Sequence, residues 1–248
     1  MEQTGNEISE PVSDEELPLI AHLAELRRRL IVVLIPFATV TLIMFPFSND
    51  YLHVLLTHLF HGDMSLFVYG PMEWLSVRLL FSFLCALSLI IPLLLYEIFA
   101  FIRPGLYPSE RRFFLIVVIP SLCLYGLGAF FAYYIVLPHV FDYIIAYSGE
   151  VALVRLSAKR IFSVILYTAV GFGLIFQIPL IMALAVRMKL VTYSWLRDKR
   201  LIFYGLIIGI ALFVIADPTG ISMLMAVVSI AMFELGLLIS RLSLKKKA

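Results

Sequence analysis

Of 248 residues, 62% are apolar and 15% charged, against roughly 45–50% and about 25% in a soluble domain; the composition excludes a soluble fold and indicates one integral membrane bundle. The net charge of +2 decides little, because where the charges fall matters more than their sum. Cys85 and Cys123 both lie inside apolar runs and read as small core residues, not as a disulfide framework or a metal site.

Residues 1–18 carry Glu2, Glu7, Glu10, Asp14, Glu15 and Glu16 and no Lys or Arg. They read as a solvated, disordered tail, not as a signal peptide, which would need an apolar core. A sharper role, concentrating a basic ligand, stays open. From His22 to Leu30, the helical spacing of Leu23, Leu26 and Leu30 predicts an amphipathic helix on the inner membrane surface. Glu25 and Arg29 stand four apart in the favourable order for an ion pair.

Span one is predicted over 30–47, with Pro36 inside and Pro46 at its outer end. Leu52, Leu55, Leu56 and Leu59 then predict a separate helix capping the outer surface. Its His53, His58 and His61 lack the carboxylate or Cys that would complete a helical ligand set, so no metal is expected. Span two is predicted over 74–102, bent at Pro92, with Glu73 and Arg78 pairing near the outer end and Glu97 near the inner end.

The stretch Phe101 to Arg112 is the polar centre of the chain. Pro104, Gly105 and Pro108 forbid a continuous helix, and three arginines surround the single acid Glu110. Span three follows over 113–137 and stops at Pro138; span four covers 158–186 with Gln177 and Pro179 well inside it. Spans five (201–215) and six (221–239, containing Glu234) form a hairpin across Ala216 to Gly220, and the chain ends in Lys245 to Lys247. Glu97 and Glu234 are either functional intramembrane acids or acids that snorkel to the inner boundary or pair with basic loops. Gln177 lies deeper and is expected to face a cavity or a partner helix.

Only Arg155, Lys159 and Arg160 fall outside, and Arg78 lies in a span; the other 15 of the 19 Lys and Arg fall inside. That excess predicts an all-α, six-span membrane protein with both termini cytoplasmic. The predicted organisation is a tail over 1–18, one membrane domain over 19–242 whose kinked helices form a concave bundle, and a basic tail over 243–248. Span five, at about 15 residues and roughly 1.5 Å each, reaches about 22 Å against a hydrocarbon core of about 30 Å. The hairpin is therefore expected to thin the bilayer or recruit partners.

Laid out this way, the chain resembles the TatC family of the twin-arginine translocase from His22 to Leu242. The family pattern His-Leu-x-Glu-Leu-Arg-x-Arg stands here as His22 to Arg29. Its first cytoplasmic loop, Phe-Ile-x-Pro-x-Leu-Tyr-x-x-Glu-(Arg/Lys)-Arg, stands as Phe101 to Arg112. Gly128 to Tyr133, Val136 to Pro138, the Phe-Gln-x-Pro of span four and Phe233-Glu-x-Gly236 add support. The resemblance implies a receptor for Arg-Arg signal peptides of folded precursors in a prokaryotic cytoplasmic membrane. It implies transport driven by the proton-motive force, single-span A- and B-type partner subunits and self-association in a larger complex. It implies Glu25 and Glu110 as acidic contacts, with Phe101, Arg27 and Pro104 shaping the site. Pro46, Glu97, Gln177, Asp217 and Glu234 are implied at a translocation or partner interface. Gln177 stands where many relatives have Glu, and Glu97 where relatives often have Gln.

The physics of the residues agrees with that expectation. Arginine presents a planar fork of donors matched to carboxylates, and lysine only a point charge. The rival reading is a proton-coupled transporter of a small molecule, which would carry inverted repeats around a midplane site. A pure assembly scaffold is a second rival. No enzyme and no cofactor is expected, since no nucleophile set, metal spacing or phosphate loop appears.

Overall fold

The computed structural model describes residues 16–59, 67–102, 110–142, 157–214 and 220–245. Everything described is helical apart from short turns and one isolated parallel bridge, Phe67 to Ser157. Five described stretches are long and apolar enough to cross a membrane, and a shorter apolar helix begins at Arg200, where the sequence puts span five.

Helix α1 runs Glu16–Leu59, 44 residues without a break through Pro36 and Pro46. At 1.5 Å per residue it is about 66 Å long, roughly twice the hydrocarbon thickness. The separate inner and outer surface helices expected from the sequence are therefore two ends of one helix. Pro46 lies within it, not at its end. Here Arg78 reaches across from α2: its Nε–H donates to Ser48 Oγ at 2.9 Å and its Nη2–H to the Phe45 carbonyl at 3.1 Å, with the guanidinium 4.6 Å from the Phe45 ring centre.

Helix α2 (Pro71–Ile102) and helix α3 (Glu110–Phe131) follow. The latter continues through a π-helical turn, Ala132–Val136, to residue 142; such a turn inserts an extra residue into the ladder. The span read as ending at Pro138 thus extends one turn further. Span four is two helices, α4 (Ala158–Ile175) and α5 (Ile178–Arg187), because Pro179 has no N–H to continue the first ladder and suits the opening turn of the second. A short α6 (Tyr193–Asp198) is capped by the Thr192 hydroxyl, which accepts the Trp195 N–H. Helices α7 (Arg200–Val214, 15 residues) and α8 (Ile221–Lys245) form the last hairpin.

The core is stacked in layers along the bundle. At the outer end Leu52, Val77, Phe81, Phe141 and Phe162 pack together from α1, α2, the α3 extension and α4. At the inner end Ile91, Leu95 and Phe99 of α2 pack on Val117 of α3, Leu184 of α5 and Met188 just past the end of α5. The hairpin docks through Phe233 and Leu237 of α8 onto Met182 and Val186 of α5. Two glycines permit close approach: a Cβ on Gly128 would lie 2.5 Å from the Phe172 carbonyl oxygen, and one on Gly236 would lie 2.7 Å from Met182 Sδ.

Glu73 and Arg78 do not pair. Five residues apart puts them about 140° apart around the helix, so they face different neighbours. Glu73 instead accepts from the Tyr69 and Lys159 backbone N–H groups, at 2.6 and 3.3 Å, and from the Ser157 hydroxyl. One carboxylate thereby ties the start of α2 to the start of α4.

Candidate functional site

The site assembles where the inner part of α1 lies beside the inner end of α2. Glu25 and Arg29 share one face of α1 by their four-residue spacing, and Glu97 comes from the last turns of α2. Arg29 donates through Nε–H at 3.0 Å and Nη2–H at 2.7 Å to Oε1 of Glu25. Through Nη1–H at 2.7 Å it donates to Oε2 of Glu97. A single guanidinium thus bridges two carboxylates from two helices. The bridge is half-shielded: the side chains of Glu97, Arg29 and Glu25 are 13%, 24% and 33% exposed. Partial burial strengthens such charge-assisted bonds beyond the usual surface ion pair.

A cavity of about 550 Å³ opens over this bridge, lined by Ala24, Glu25, Arg28, Arg29, Val32 and Glu97. The second oxygens, Glu25 Oε2 and Glu97 Oε1, accept no hydrogen bond among the described residues. The arrangement can therefore take further donors, and its chemistry favours a cation with several N–H groups. Phe101, one residue before the end of α2, is half-buried, and Arg27 is exposed. Glu110 opens α3, but its side chain, together with Pro104 and Asp217, lies outside the described residues. Whether Glu25 and Glu110 meet is likewise outside them.

The remaining expected residues are dispersed. Gln177 is 1% exposed and sits in the α4–α5 break. Its Oε1 accepts the Ser121 hydroxyl at 2.7 Å, and its Nε2–H donates to the Ser121 carbonyl at 3.1 Å and the Gly173 carbonyl at 3.5 Å. It thus faces a neighbouring helix, α3, as its depth in the span suggests. Glu97 likewise faces α1 of its own chain. Glu234 is exposed on α8 and accepts the Tyr204 hydroxyl of α7. Pro46 is exposed beside the Arg78 anchor. A separate, mostly apolar cavity of about 580 Å³ lies between α4 and α8, lined by residues that include Tyr167, Gly171 and Met225, with Arg160 at its outer end.

The sequence paired Arg29 with Glu25 but did not bring Glu97 to them. The spacing of Glu25 and Arg29 was the available signal; the third partner, 68 residues away, left none.

Residues 21–228 match the family model described as Sec-independent protein translocase protein (TatC). The chain belongs to the TatC family. It is 40% identical over 236 residues to the TatC protein of Methanocella arvoryzae, covering 95% of this chain and 98% of that one. It is 35% identical to the TatCo protein of Haloferax volcanii, covering 94% of this chain and 59% of that longer protein. A crystal structure titled as the twin-arginine translocase receptor TatC superposes with a TM-score of 0.76 at 28% identity, covering 90% of this chain and 99% of that chain. As a TatC protein the chain is a multi-pass component of the cytoplasmic membrane and part of a Sec-independent protein translocase. A small-molecule transporter is thereby set aside.

Proposed function

We propose that the inner ends of α1 and α2 form the receptor surface for signal peptides carrying Arg-Arg. The observation that carries this reading is the guanidinium held between Glu25 and Glu97 beside an open cavity. A surface that holds one guanidinium on two carboxylates has the chemistry to hold another. Glu25 and Glu110 are the acidic contacts in this reading, and Phe101, Arg27 and Pro104 shape the approach. Lysine, with one compact ammonium, engages such a seat less completely.

The chain acts as a receptor with no catalytic step of its own, and the proton-motive force drives transport. Its membrane domain spans residues 19–242 between an acidic tail (1–18) and a basic one (243–248). Single-span A- and B-type subunits dock along the α7–α8 hairpin, where Leu201, Ile202, Leu206 and Ile210 are exposed and where Glu234 and Asp217 supply polar points. Pro46 acts through the shape of α1.

The test is site-specific photocrosslinking from positions 25, 101 and 110 to a peptide with Arg-Arg. Adducts at these positions, weaker with a Lys-Lys peptide, are the expected result. Equal labelling by both peptides, or none at any position, refutes the reading.

A further inference from the structure

We propose that Arg29 is a built-in placeholder: in the free protein it occupies the two-carboxylate seat, and a ligand guanidinium binds by displacing it. This rests on the receptor reading above and adds its regulation. Three observations support it. Arg29 engages Glu25 through the Nε/Nη2 edge and Glu97 through Nη1, using three of the five N–H donors of its fork. The two acceptors come from different helices, so the guanidinium also latches α1 to α2. The bridge forms a wall of the 550 Å³ cavity instead of being sealed in the core, so an incoming group reaches it directly.

The consequence is an exchange. A ligand arginine that takes over Glu25 and Glu97 repeats the bonds that Arg29 gives up, so neither carboxylate is left bare. Among the described residues Glu25 Oε2 and Glu97 Oε1 accept no hydrogen bond, which allows the newcomer to bind before Arg29 has fully left. Because the bonds exchanged are alike, the net affinity stays moderate and release stays possible. A ligand lysine cannot complete the exchange: its ammonium cannot present two edges to two separated carboxylates. In this account Arg29 contributes to selectivity, since a ligand must match the fork it replaces.

The test measures binding of fluorescent Arg-Arg and Lys-Lys peptides to the full chain in detergent micelles, for the wild type and Arg29→Gln. With the seat vacated, affinity for Arg-Arg rises about tenfold, the order of one charge-assisted hydrogen bond, and the Arg-Arg to Lys-Lys ratio rises too. An equal rise for both peptides means only that a positive charge was removed, and overturns the placeholder. Unchanged or weaker Arg-Arg binding means that Arg29 is a fixed part of the site, and overturns it as well. Where Arg29→Gln is not monodisperse, Arg29→Lys keeps the charge but not the fork; it raises the ratio by a smaller factor, and an unchanged ratio refutes the proposal. Failure of the receptor reading itself looks different: the wild type then shows no preference between the peptides.

Discussion

Replacing Gln177 with Leu removes the polar bridge between α3 and the α4–α5 break while nearly preserving volume. Gln177 is 1% exposed, so no solvent replaces what it loses. The bond from the Ser121 hydroxyl, at 2.7 Å, is the strong one; the donation to the Ser121 carbonyl at 3.1 Å is weaker and that to Gly173 at 3.5 Å marginal. The Ser121 hydroxyl can fall back on a carbonyl one turn earlier in α3, which limits the penalty. The cost is then about 1–2 kcal/mol, with a coupling between the two side chains of about 0.6 kcal/mol and at most ~1.7 kcal/mol, as for hydrogen bonds between membrane helices. For a chain of this size 1 kcal/mol corresponds to about 2–4 °C in Tm. Thermal unfolding of Gln177→Leu, Ser121→Ala and the double variant in detergent gives the cycle. A coupling indistinguishable from zero would refute the view that this pair holds α3 against α4. The pair matters for the site because α5, which begins at the break, supplies Leu184, and the residue after its end, Met188, to the layer that supports the inner end of α2.

Arg78→Ala removes the anchor on Ser48 and the Phe45 carbonyl, and is expected to lower stability by about 1–3 kcal/mol through loss of charge-assisted bonds. Arg78→Lys should recover part of the loss in the same thermal assay, and an unchanged Tm for Arg78→Ala would count against the anchor. Inserting four Leu into α7 lengthens it by about 6 Å, from about 22 Å toward the hydrocarbon thickness. Export of a folded precursor is expected to fall in cells, and full export would rule out a role for the short hairpin.

The helical bundle was readable from hydropathy because a bilayer leaves few options: each span must be long, apolar and helical. Helix continuity was less readable. Pro46 and the Leu52 to Leu59 pattern suggested a break in α1, yet the chain stays helical, with Arg78 bonded to the backbone and Ser48 beside Pro46. Pro179 did interrupt its helix. Proline alone does not decide between the two outcomes. At the site, the Glu25 and Arg29 pair followed from local spacing. Glu97 joined it through the tertiary packing of α1 on α2, which no local pattern encodes. The short reach of the α7 helix was plain from its length, and Gln177's partner was hidden because a serine on another helix carries no signal of its own.

In the receptor reading proposed above, carboxylates at the inner ends of the helices recognise paired guanidinium groups. Its most direct test is the ratio of affinities for Arg-Arg and Lys-Lys peptides, measured for the wild type and for Glu25→Ala combined with Glu110→Ala. The wild type should favour Arg-Arg by about tenfold, the order of one charge-assisted hydrogen bond, and the double variant should bind both peptides weakly and alike. A double variant that keeps the wild-type preference would contradict the account.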